Sequence, residues 1–176
     1  MTNPQTEMRQ HLMHALYNDD FSTIDDLLER GVNINLPYNH HGWTPFMWVC
    51  KEHCDPEIIA KFLKYGGNTN KANDEGQTPL HIAARHRSSF DCLKLLLEAE
   101  ADIDAVDNNG NTALMTMLSH PQVSIRMDVA WSLFAAGTNA SIKNNKGQTA
   151  YDIAKANTAF DDEVLLMLLE DSADVQ

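Results

Sequence analysis

The sequence predicts an all-α repeat solenoid: one domain over residues 1–176, built from about five helix-turn-helix units joined by hairpin-like loops. Two unlike phrases recurring in one register carry this prediction. Gly42-Trp43-Thr44-Pro45-Phe46 returns as Gly76-Gln77-Thr78-Pro79-Leu80, then as Gly110-Asn111-Thr112-Ala113-Leu114, then as Gly147-Gln148-Thr149-Ala150-Tyr151, at glycine spacings of 34, 34 and 37. In step with it, Leu27-Leu28-Glu29-Arg30-Gly31 returns as Phe62-Leu63-Lys64-Tyr65-Gly66, as Leu96-Leu97-Glu98-Ala99-Glu100, as Leu133-Phe134-Ala135-Ala136-Gly137 and as Leu168-Leu169-Glu170-Asp171-Ser172.

The units fall at about 8–38, 39–72, 73–106, 107–143 and 144–175. The first lacks the Thr-Pro start and suits an N-terminal cap. In the second and third, Thr44-Pro45 and Thr78-Pro79 are helix starts: the hydroxyl caps free N–H groups and proline suits the first helical position. In the third unit a short helix is predicted over 79–86. A polar turn leads from it to a second helix over 90–98, with Phe90, Leu93, Leu96 and Leu97 at helical spacing. Gly31, Gly66 and Gly137 sit where a helix ends in the left-handed conformation, and Glu100 takes that place at a cost of about 1 kcal/mol. The stretch Asp107-Asn108-Asn109-Gly110 is turn chemistry and projects a loop before the next threonine. The fourth unit carries three extra residues around 119–123, between its helices. The fifth ends in the unbroken apolar run 164–169.

On these residues the chain resembles the ankyrin repeat family. Thr78-Pro79-Leu80-His81-Ile82-Ala83-Ala84 matches that family's T-P-L-H-x-A signature. Ala101-Asp102-Ile103-Asp104-Ala105 matches its G-A-D-V-N-A segment apart from the glycine. The resemblance covers about residues 8–175. It implies a concave surface of loop tips and first helices that binds protein partners through its variable positions.

Bulk properties narrow the function further. Twenty-five acids oppose 13 bases, a formal charge of −12, which argues against a nucleic-acid footprint and favours basic partners. Residues 1–10 show no secretory signal pattern, and no apolar run approaches the ~18 residues of a membrane span. Three cysteines do not make a disulfide framework, so a reducing, cytoplasmic setting is expected.

No catalytic constellation stands out. His81 is the tempting residue, but the resemblance makes it a structural hydrogen-bonding group near a helix start. Cys50, His53 and Cys54 are too few for a tetrahedral metal site. Cys50 takes the place of a small buried alanine, and Cys54 falls in a turn, either packed or reactive. No cofactor or metal is expected. The acidic pairs Asp19-Asp20 and Asp25-Asp26 read as solvated caps and helix starts.

The variable surface carried over from the family comprises His40, His41, Trp43, Lys51 and Glu52 of the second unit. The third supplies Asp74, Glu75, Gln77, Arg85 and His86; the fourth supplies Asn108, Asn109, Asn111, Ser119 and His120. Trp43 occupies a position that is polar in later units and is expected near the surface, either as a binding anchor or packed on Tyr38. Trp48, aligned with Ile82, is expected in the core. Trp131 aligns with Lys94 and Leu166; with Met167 these form a second candidate patch, for self-association or a partner helix. The expected function is non-enzymatic protein binding, as a general adaptor or as an acidic inhibitor of a basic toxin or enzyme.

Overall fold

The structure is a computed structural model describing residues 3–53, 55–86, 90–120 and 127–157. Among these, α1 (Pro4–Tyr17) pairs with α2 (Phe21–Glu29), α3 (Pro45–Glu52) with α4 (Pro56–Lys64), α5 (Pro79–Arg85) with α6 (Phe90–Glu98), and α7 (Ala113–Leu118) with α8 (Met127–Ala135). The helix α9 (Ala150–Ala156) opens the fifth unit. First helices stack in the order α1, α3, α5, α7, α9, and the second helices α4, α6 and α8 stack beside them. This is the all-α solenoid that the repeat predicts.

The helix ends follow from local chemistry. The hydroxyl of Thr44 accepts from the N–H of Met47 (3.1 Å), and Thr112 and Thr149 cap α7 and α9 in the same way. Asp20 caps α2 through the N–H of Thr23 (3.1 Å), and Asp55 caps α4 ahead of Pro56. The first unit starts earlier than expected: α1 begins at Pro4, because Asn3 caps it through the N–H of Gln5 (3.0 Å) and Pro4 suits the first turn. Glu100 takes φ 59°, beside 76–84° at the equivalent Gly31, Gly66 and Gly137. Cys54, most of the inter-helix insertion, and Leu166 and Met167 with the rest of the run 164–169 lie outside the described residues.

Each helix pair is too small to bury its apolar face alone, so the core runs continuously through the stack. Phe46, Phe62, Leu80, Leu93, Leu114 and Leu133 are within one per cent of full burial. Trp48 is 7% exposed, in the core as its alignment implies.

The loops repeat an asparagine device. Oδ1 of Asn39 accepts from the N–H groups of His41 and Trp43 (both 3.1 Å). Asn73 does the same for Glu75 and Gln77, Asp107 for Asn109 and Asn111, and Asn144 for Lys146 and Gln148. One side-chain oxygen thereby closes each tip. Neighbouring tips then join: the N–H of Asp74 donates to the carbonyl of His41, that of Asn108 to Glu75, and that of Asn145 to Asn109 (2.9–3.1 Å).

Side chains extend this ladder. Nδ2 of Asn108 donates to the Asp74 carbonyl (2.8 Å), and Nδ2 of Asn145 to the Asn108 carbonyl (2.9 Å). Asp74 occupies the same register one unit earlier, where the matching acceptor is the carbonyl of His40, but a carboxylate has no proton to donate. Asp74→Asn is therefore expected to raise stability by about 1 kcal/mol, read as a higher midpoint in urea unfolding; an unchanged or lower midpoint would show that the ladder gains nothing there.

Candidate binding face

The side of the solenoid formed by the first helices and loop tips, called here the inner face, carries the predicted surface residues. Several of them turn out to hold the fold together. Gln77 is buried (7% exposed), and its Oε1 accepts from Nδ2 of Asn73 (3.2 Å). Asn111 accepts from Nδ2 of Asn144 (2.9 Å), and Asn108 is committed to the ladder. The polar residue after each loop glycine thus packs under the tip, and that is why its polarity did not mark a surface. Trp43, at this same position, is half-buried and packed against the core, with its carbonyl accepting from the N–H of Tyr38 (2.8 Å).

His81 lies almost fully buried. Its Nδ1 accepts from the N–H of Thr78 (3.3 Å), so the ring proton sits on Nε2, which donates to the carbonyl of Asn111 in the next unit (3.0 Å). Met47 and Asp152 occupy the same helical position, and their Sδ and Oδ2 atoms accept from Thr44 and Thr149. This is a capping position that in the third unit also clamps two repeats together. Burial holds the His81 pKa below its ordinary 6.5, against the opposing pull of the Asn111 carbonyl and of Asp107 and Asp102. The unfolded chain therefore takes up this proton first, and stability present above pH 6.5 is lost as pH falls through the folded value. The melting temperature should drop between pH 7.5 and 5.5, and His81→Met should reduce that drop; an undiminished drop in the variant would assign it to other groups.

One exposed feature of the inner face is aromatic. Tyr17 ends α1 with 62% of its surface free, yet its ring stands edge-on to Trp48 with centroids 4.8 Å apart. Trp48 in turn meets the ring of His53 at 4.9 Å, and Nε2 of His53 lies 3.2 Å from the carbonyl of Leu16. Tyr38 reaches over from the second loop. Burial, with the nearby Tyr17 and Glu52, pushes its phenol up to about 12. Tyr17, Tyr38, Arg9, Met13 and His14 line a pocket of about 320 Å³. Nothing in the sequence aligns Tyr17 and Arg9 with the later units, because the first unit lacks the Gly-x-Thr phrase that fixes the register of the others.

Beyond this cluster, the C-terminal ends of the first helices form a row. Lys51 and Glu52 end α3 and pair with each other. Arg85 and His86 end α5, and Ser119 and His120 end α7. Arg85 is exposed and His86 is half-buried. Burial, and then the charges of Lys51 and Arg85, hold the His86 pKa below 6.5, with Glu52 opposing. At the far end, Asn109, Asn111, Ser119, Lys146 and Gln148 line a cleft of about 690 Å³. His40, His41, Asp74, Glu75 and Asn109 are exposed at the loop tips.

The remaining features lie elsewhere. Cys50 is fully buried, and burial pushes its thiol far up, which leaves little thiolate for chemistry. Among the described residues no three His, Cys, Asp or Glu side chains are placed to hold a metal ion. Trp131, on α8, is 46% exposed on the outer side. No helix among the described residues is long and apolar enough to cross a membrane.

Comparison with known proteins places these features in a family context. Residues 12–107 match the family described as ankyrin repeats (3 copies). An ankyrin repeat-containing protein of Schizosaccharomyces pombe is 30% identical over 118 residues, which are 66% of this chain and 53% of that protein. An ankyrin repeat, SAM and basic leucine zipper domain-containing protein of Dasypus novemcinctus is 30% identical over 126 residues, 68% of this chain and 26% of the relative. The chain thus spans about half of the first relative and about a quarter of the second.

Proposed function

Since the chain belongs to the ankyrin repeat family, whose repeats are generally protein–protein interaction modules and typically non-enzymatic, we propose that it binds a partner protein through its inner face, with the aromatic cluster at the first two units as the anchor. One observation carries this reading. Tyr17 is largely exposed, yet it is held by Trp48 and Tyr38 beside a pocket that Arg9 also lines. Tyrosine, tryptophan and arginine dominate binding hot spots, since they bring large area at low entropic cost. A ring already fixed by its neighbours loses little freedom on binding.

Trp43 is half-buried and packed against the core, so its replacement affects folding as well as binding. Tyr17 separates the two. Partner protein captured from native lysate by the immobilised chain should bind Tyr17→Ala about 30-fold more weakly, equivalent to about 2 kcal/mol. The melting temperature should move by only a few degrees. Capture unchanged by Tyr17→Ala, and unchanged again by Arg9→Ala, would remove the cluster from the interface.

A further inference from the structure

The charge of the whole chain does not describe the inner face. The first helices carry Arg9, Lys51, Arg85 and Lys155 against Glu7, Glu52 and Asp152, and the loop tips add Lys146 against the exposed Asp74 and Glu75 and the buried Asp107. The second helices and the turns after them hold much of the acid: Asp25, Asp26 and Glu29 on α2, Asp91 and Glu98 on α6, then Glu100, Asp102 and Asp104. A chain with a net charge of −12 thus presents a nearly balanced face on its first-helix side.

Histidines are segregated as well. All eight, at positions 11, 14, 40, 41, 53, 81, 86 and 120, belong to first helices, their ends or the loops; none lies on α2, α4, α6 or α8. His81 is consumed by its structural bonds, and His53 faces Asp19 at 3.6 Å. Others, His40 and His41 at the loop tips and His86 and His120 at the helix ends, lie on the same side of the molecule.

Donors reinforce the asymmetry. Lys146, Asn111 and Gln148 line the large cleft. Asn111 and Gln148 have their oxygens occupied by Nδ2 of Asn144 (2.9 and 3.4 Å), so the polar groups they have left to offer there are amide donors. The charged and titratable groups that face His86 are Lys51 and Glu52 from α3, its neighbour Arg85, and His120 at the end of α7. Lys51 is already paired with Glu52, whereas Arg85 makes no ion pair among the described residues.

We propose that the inner face takes an acidic segment of its partner, with carboxylates set over the row Arg85–His86–His120 and an apolar side chain in the pocket beside Tyr17 and Tyr38, and that it binds this segment more tightly in mild acid. The proposal rests on the inner face being the binding surface. Its pH direction rests on the place of His86, half-buried beside Arg85 and Lys51: burial and then these cations disfavour its protonated form, and a carboxylate laid over it favours the proton again. Binding and proton uptake are therefore linked.

The test uses fluorescence anisotropy with two synthetic peptides, each a tryptophan followed by a glycine-spaced run of either glutamates or lysines. Glutamates, with an ordinary pKa of about 4.3, stay ionised over the range used. The glutamate peptide should bind, and about tenfold more tightly at pH 5.5 than at 7.5. Arg85→Glu should abolish binding, whereas Lys94→Glu on the outer helix α6 should not. His86→Gln should flatten the pH response. Preference for the lysine peptide, binding of neither peptide, or an acidic affinity indifferent to pH and to Arg85→Glu would overturn the proposal. If a captured natural partner depends on Tyr17 but not on Arg85, the binding function stands and the acidic class fails.

Discussion

Gly76→Ala should destabilise the protein by about 3 kcal/mol, whereas Gly147→Ala, at the same position of the fifth unit, should cost about 1 kcal/mol. Both glycines take a left-handed conformation, φ 76° and 74°, and share the cost of placing a side chain there. They differ in what the new Cβ would meet. At Gly76 it would lie 2.7 Å from the backbone nitrogen of Asn108 and 2.6 Å from its Oδ1; at Gly147 nothing among the described residues lies within 4 Å. To make room, the loop tip of the fourth unit must back away from that of the third. The move breaks the bonds from the N–H of Asn108 to Glu75 and from its Nδ2 to Asp74, each worth about 1 kcal/mol. Urea unfolding of the two variants side by side reads the difference directly. Equal losses would mean that left-handed strain is the whole effect and that the loop ladder contributes nothing.

Phe46→Ala should cost about 3–5 kcal/mol, a large share of the stability of a repeat array of this size. The ring has no exposed surface and stacks on Phe62 with centroids 6.1 Å apart and planes 13° apart. It also packs against Gly67, where an added Cβ would meet the ring at 3.2 Å. Phe46 therefore ties a first helix, its second helix and the following turn into one unit. Stack energetics couple each unit to its neighbours, so the loss should appear as one lowered transition. A loss under about 1 kcal/mol would mean that the second unit can repack around the hole.

Much of the fold was legible because the repeat states its own boundaries. A threonine marks the start of each unit after the first, Gly31, Gly66 and Gly137 mark ends through φ, and the leucine pairs mark the buried stripe. Glu100 was readable as a left-handed residue from register alone. The binding face was less legible. Gln77 and Asn111 are polar residues that pack beneath loop tips, and a polar residue with internal partners looks in sequence like a surface one. The first unit hid Tyr17, since Asn3 and Pro4 start its helix with none of the phrases that align the others. Trp131 was legible as outward-facing because its counterpart in the third unit is Lys94, which is 57% exposed in its pairing with Glu98.

Hydrogen exchange of the free chain and of its complex with a captured partner tests most directly whether the inner face binds. Amides at the ends of α1, α3 and α5 and at the loop tips around Asp74 and Asn108 should exchange more slowly in the complex. Those of α4 and α6, on the outer side, should be unaffected apart from a uniform gain in global stability. Protection confined to the second helices, including α8 around Trp131, with the ends of α1, α3 and α5 unchanged, would contradict an inner-face binding site.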